Sequence, residues 1–194
     1  MGSSTSAEEL LRRIEAAVTD AALSAAREAV LSLSGESIYG CWVFHGQFLS
    51  VSGLTLFTEH GLERTLARYQ SLSAGESAGS LRWSPCDSPH HLFGQHYFSE
   101  SDHLFMALEQ HRPDDRITLE VERICLRVVR ELNAARIFPS DVVLTLAEGD
   151  QGWAERYAYA ERFLEQRTLE RFRDEIPELN ESHLDHWRSR IPDF

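Results

Sequence analysis

Lysine is missing from this chain of 194 residues: all 19 basic residues are arginine. That absence removes a lysine nucleophile, a Schiff-base lysine and the phosphate-binding lysine of a P-loop from its chemistry. Long apolar runs are missing as well. No stretch approaches the roughly 20 residues that a helix needs to cross a bilayer. The opening Met1-Gly2-Ser3-Ser4-Thr5-Ser6 lacks the basic-then-apolar order of a secretory signal. The expected location is therefore the cytoplasm, with no membrane among the partners. Cysteine is scarce and unpaired in spacing: Cys41, Cys86 and Cys125 form no Cys-x-x-Cys. A disulfide framework is not expected, and Cys41 and Cys125, within apolar stretches, read as small buried hydrophobes. Positive charge is in short supply, 19 arginines against 31 acids for a net charge of −12. General nucleic-acid binding, which needs a basic surface to replace counterions, is excluded from the expectation. The same balance suits a basic protein partner, because opposite charge speeds encounter.

What is present reads as an ordinary globular chain, 42% apolar and 26% charged. Residues 1–194 are long enough to bury one substantial core and are expected to form a single globular domain. Residues 6–33 carry Leu10, Ile14, Ala17, Ala21, Ala25 and the Val30/Leu33 region at helical spacing, with Ser6 and Glu9 in a capping-box pattern and Ser34-Gly35 as the stop. Residues 38–44 and 48–57 predict an antiparallel hairpin about a turn at His45-Gly46-Gln47, with Gly53 marking either a bulge or the end of the second strand. Thr58 is placed to cap a helix over 62–69. Residues 71–80 read as an exposed loop, and 81–96 as a short strand leaving into a structured loop. Helices are predicted over 99–111 and 117–135, separated by Arg112-Pro113-Asp114-Asp115. The apolar run 141–146 predicts a strand buried on both faces. One long helix over 153–176 and a short one around 183–188 complete the chain. The sum is an α+β fold: a mostly antiparallel sheet with long N-terminal and C-terminal helices packed against it.

Catalytic motifs are absent. There is no Gly-x-Ser-x-Gly, no His-Glu-x-x-His and no glycine-rich phosphate loop. No cofactor, metal or catalytic residue is expected, and the reading is non-enzymatic. The alternative is a small metal-dependent hydrolase using residues 90–103, where His90, His91, His96 and His103 lie near Asp87, Glu100 and Asp102. Against it, adjacent histidines on a strand point to opposite faces. The alternating Glu and Arg of residues 155–175 read as a solvated helix face with spaced ion pairs. Arg82-Trp83-Ser84-Pro85 reads as a structural anchor. Pro85 holds the residue before it extended, Trp83 buries a large apolar area, and Arg82 stacks or pairs with a carboxylate. Glu100, Asp102, Asp114 and Asp115, around helix ends and loops and expected to have few nearby arginines, are the candidate partner contacts.

Taken together, the helix ending before Ile38-Tyr39-Gly40, the strand pair to Phe57-Thr58, the following helix, Arg82-Trp83-Ser84-Pro85 and the strand 142–146 resemble the bacterial domain of unknown function family 4303. The tetrapeptide is the sharpest of these signatures; Cys86-Asp87-Ser88 follows it where the family pattern has a Glu-Trp-like pair. The family brings no established catalytic residues. Similar small acidic bacterial proteins accompany secreted polymorphic toxins as immunity proteins. The resemblance thus implies an antitoxin that binds and neutralises a cognate toxin domain, expected to be basic.

Overall fold

The protein's structure, a computed structural model, describes residues 6–46, 50–71, 78–111, 114–148, 151–176 and 179–191. Among them are eight α-helices and a four-stranded sheet. The first helix, α1 (Ala7–Ser32), starts where the sequence signals it: Ser6 Oγ accepts from the Glu9 N–H at 3.2 Å. Glu9 does not return the bond but pairs with Arg12 instead. Leu10, Ile14, Val18 and five alanines form its buried stripe.

Strands β1 (Ile38–Gly46) and β2 (Ser50–Thr58) pair antiparallel. A bulge falls at Gly53, where the register shifts between Phe44 and His45. The turn at Gln47 lies outside the described residues. Thr58 Oγ1 accepts from the Gly61 N–H at the start of α2 (Glu59–Ser71). Of the expected loop over 71–80, residues 72–77 lie outside the described residues, and Ala78 already opens a helical turn, α3 (Ala78–Arg82). The strand expected at residue 81 starts later, as β3 (His90–Phe93), after a 3₁₀ turn at Pro85–Asp87. Pro85 at the first position of that turn, where a missing N–H costs nothing, explains the difference.

Two further helices, α4 (Ser99–Glu109) and α5 (Asp115–Ala134), precede β4 (Val143–Glu148). The sheet order is β3-β2-β1-β4. β2 pairs antiparallel with both neighbours, whereas β4 runs parallel to β1, from Gly40↔Val143 to His45↔Glu148. The final long helix of the sequence reading is broken in two, α6 (Trp153–Ala160) and α7 (Gln166–Glu175), and α8 (Glu181–Arg190) follows. The break turns Phe172 of α7 onto the sheet, at 6.0 Å from Trp42 and 4.9 Å from Trp83 between ring centres.

Strand alternation divides the core into two layers. Cys41, Val43, Leu54 and Leu56 face the α1, α4 and α5 side, while Trp42 and Phe57 face the opposite side with Trp83 and Phe172. Cys41 and Cys125 are buried and free. In the second layer the indoles of Trp42 and Trp83 stack at 5.6 Å with planes 3° apart. Gly40 makes that packing possible, since a Cβ there would lie 2.7 Å from a Trp83 ring carbon. Trp83 is wholly buried. Arg82 lies over the Tyr39 ring at 4.1 Å, forks onto Glu59 with bonds of 2.7 and 3.0 Å, and reaches Glu175 at 3.0 Å. Burial opposes its charge, but those two carboxylates more than compensate and hold its pKa above the ordinary arginine value.

Candidate functional site, a carboxylate cleft

A cleft of about 280 Å³ opens beyond the C-terminal ends of the parallel strands β1 and β4. Strand ends of this kind are where open sheets place ligands, because the backbone stops and the flanking helices diverge. His45 and Glu148, paired across the two strands, form its base. Glu122 and Cys125 come from α5, Glu155 and Tyr159 from α6, and Trp187 and Arg190 from α8. The apolar run of β4 ends at Glu148, so its first charged residue emerges where the sheet gives out.

Two of the acids, Glu155 and Glu122, are anchored by hydrogen bonds. Gln151 accepts from the Glu148 backbone N–H at 2.8 Å and donates to Glu155 at 3.1 Å. The Tyr159 hydroxyl donates to Glu122. Burial, reinforced by Glu148 and Glu122, pushes the Glu155 carboxyl up to about 7, against the bond from Gln151. Burial also raises Glu122, opposed by Tyr159. Burial lowers the His45 imidazole, although Glu148 lies 4.0 Å away and favours its charged form. Three carboxylates thus converge with Arg190 as the sole arginine of the lining, and that guanidinium lies 5.5 Å from the Trp187 ring. Such a site favours an entering cation, which would neutralise crowded negative charge.

The residues expected from sequence lie elsewhere. Glu100 is exposed and Asp102 half-buried in the first turn of α4, with burial raising the Asp102 carboxyl. Asp114 caps α5 by accepting from the Ile117 N–H at 3.0 Å. It also lines a groove between α1 and α5 that holds Arg12, Arg116, Arg123 and Arg127, so arginines are close to it after all. Asp115 is exposed and falls on the α5 stripe that continues through Leu119 to Glu122, toward the cleft. The four do not gather in one place: two open α4 and two open α5, with an 11-residue helix, roughly 16 Å, between them.

The histidines of residues 90–103 are dispersed too. His90 meets Glu36 at 3.4 Å, His91 bonds Thr55 at 2.9 Å, His96 faces Glu28 at 3.6 Å, and His103 bonds the Ser99 carbonyl at 2.6 Å. Among the described residues no group of three or more His, Cys, Asp or Glu side chains is placed to hold a metal. The solvated face expected over 155–175 is also corrected at its start, where Glu155 and Arg156 are buried. His45, Glu122, Glu148, Glu155 and Tyr159 carry no motif. Their only sequence signal is a charged or polar side chain inside an apolar element, as in Trp153-Ala154-Glu155-Arg156-Tyr157-Ala158.

No curated protein and no solved structure matches the chain. The model of one family, Domain of unknown function (DUF4303), matches residues 18–150. The match runs from within α1 to just past β4, and so takes in His45, Glu122 and Glu148 but stops before Glu155. A match over that share of its length shows that the chain belongs to the DUF4303 family.

Proposed function

We propose that this is a non-enzymatic protein-binding module of the cytoplasm, an immunity protein that neutralises a basic toxin domain by receiving one of its cationic side chains in the carboxylate cleft. The convergence of Glu122, Glu148 and Glu155 on one concave site carries the reading. The net charge of −12 supports it. A guanidinium or ammonium entering the cleft would bring Glu155 to full ionisation and release its proton. Glu100, Asp102, Asp114 and Asp115 act farther out, steering encounter rather than holding the complex.

The test starts from the neighbouring genes: a toxin domain found there is titrated calorimetrically at pH 6 and pH 8 in buffers of different ionisation enthalpy. Binding should tighten toward pH 8 with net proton release, and Glu155→Gln should abolish that release. Glu148→Gln should weaken binding at least tenfold. Affinity unchanged by both substitutions would remove the cleft from the interface. Failure of co-expressed protein to protect cells from the toxin domain would remove the immunity role.

A second reading rests on the Glu148–His45 pair, a carboxylate beside an imidazole kept neutral by burial, which is the chemistry of a general base. It requires hydrolysis of small esters or amides that His45→Gln eliminates while the fold persists.

A further inference from the structure

The aromatic layer on the other side of the sheet holds an arginine without a counterion. Arg156 is only 6% exposed, its Nε is buried with no acceptor, and it makes no ion pair with any described residue. Its guanidinium lies 5.7 Å from the Trp42 ring and 5.0 Å from that of Trp153. Three other buried polar atoms of this layer lack partners: the indole nitrogens of Trp42 and Trp83 and the hydroxyl of Thr145, which sits beside Trp42 in register. Four of the seven such atoms among the described residues therefore belong to one layer. The other three belong to Glu28, Arg123 and Arg171, each of which has an ion pair through its charged group.

Buried polar groups are almost always bonded, and a buried charge is normally paired. Indole and guanidinium nitrogens only donate. The layer is thus supplied with donors and short of an acceptor. We propose that its edge at Arg156 is a carboxylate-binding site, with the guanidinium between Trp42 and Trp153 as the receptor and the stacked Trp42 and Trp83 rings behind it. A carboxylate matches the guanidinium fork with two oxygens and a single charge. A phosphate dianion would meet one cation in a chain of net charge −12, with Arg64 and Arg68 already engaged by Glu36 and Asp87. Half-buried Trp153 forms the outer wall, its ring 5.0 Å from the guanidinium. The carboxylate belongs either to a free small acid or to an acidic protein side chain.

The experiment follows the tryptophan indole N–H resonances of the full chain during titration. One arm uses acetate, with chloride at matched ionic strength as control. A second uses a short blocked peptide containing one glutamate, against its glutamine counterpart. Saturable movement of the Trp42 and Trp83 resonances is expected, at least tenfold weaker in Arg156→Met and Arg156→Gln. Both variants should melt no lower than the parent, since each loses an unpaired buried charge. Tighter response to acetate assigns a free acid; tighter response to the glutamate peptide assigns an acidic side chain. Absence of saturable movement in both arms, equal movement in the Arg156 variants, or tighter response to inorganic phosphate would overturn the proposal.

Discussion

Glu155 and Arg156 are consecutive, both buried, and face opposite halves of the molecule. Adjacent residues on a helix diverge by about 100°, so one turn of α6 delivers an acid to the cleft and a base to the aromatic layer. The cleft has its hydrogen bonds in order, through Gln151 and Tyr159, but carries more negative charge than its surroundings balance. The aromatic layer is densely packed, yet leaves donors and one positive charge unanswered. One side is frustrated in charge, the other in hydrogen bonding. A carboxylate can relieve its frustration by taking up a proton. A guanidinium cannot, because arginine stays protonated at any pH the fold survives.

That difference can be tested by breaking each side in turn. Trp83→Ala should have the largest effect, a loss of about 3–5 kcal/mol in urea unfolding, because the ring is wholly buried and stacked on Trp42. A loss under about 1 kcal/mol would mean that the aromatic layer is not the tighter half.

Glu155→Gln should act in the other direction. Its carboxyl titrates near 7 in the fold, against an ordinary 4.5 when unfolded. The folded state therefore binds more protons between those values, and stability declines as pH rises from about 4.5 to about 7. Removing the charge should stabilise the protein by on the order of 3 kcal/mol at pH 8, with the gain shrinking to little below pH 4.5. Unfolding curves across that range check the sign. A gain independent of pH would place its cause outside the titration of Glu155.

Gly40→Ala should cost about 2 kcal/mol, as overpacking against the Trp83 ring does not require a cavity. Asp114→Ala should cost only about 1 kcal/mol, the worth of a helix cap, measured by thermal melting. If association with the proposed basic partner also slows in Asp114→Ala, the residue both caps and steers.

Elements with a strong period were legible in the sequence. The stripe from Leu10 to Ala29, the α5 face around Ile124 and Val128, and the apolar run of β4 each repeat one pattern long enough to declare itself. β3 spans only four half-buried residues, so it has no pattern to show. The break between α6 and α7 has no glycine or proline to announce it; residues 161–165 turn because Phe172 is drawn onto Trp42 and Trp83, which no local signal encodes. The cleft was illegible for a related reason. His45, Glu122, Glu148 and Glu155 become neighbours only through the parallel pairing of β1 with β4. In sequence, Glu155 and Arg156 look like any solvated helix pair.

The parallel pairing also sets an order of events in folding. The β1–β2 hairpin joins residues that are close in the chain, whereas β4 meets β1 across about a hundred residues, from Gly40 to Val143. Closing so long a loop has an entropic cost that must be met before the contact stabilises anything, so such contacts tend to form late. On a ribosome the hairpin, α1 and the chain up to α5 emerge before β4 exists to complete the sheet. The carboxylate cleft is therefore one of the last features to assemble, and Val143→Ala, at a fully buried position of β4, should speed unfolding while leaving the folding rate nearly unchanged.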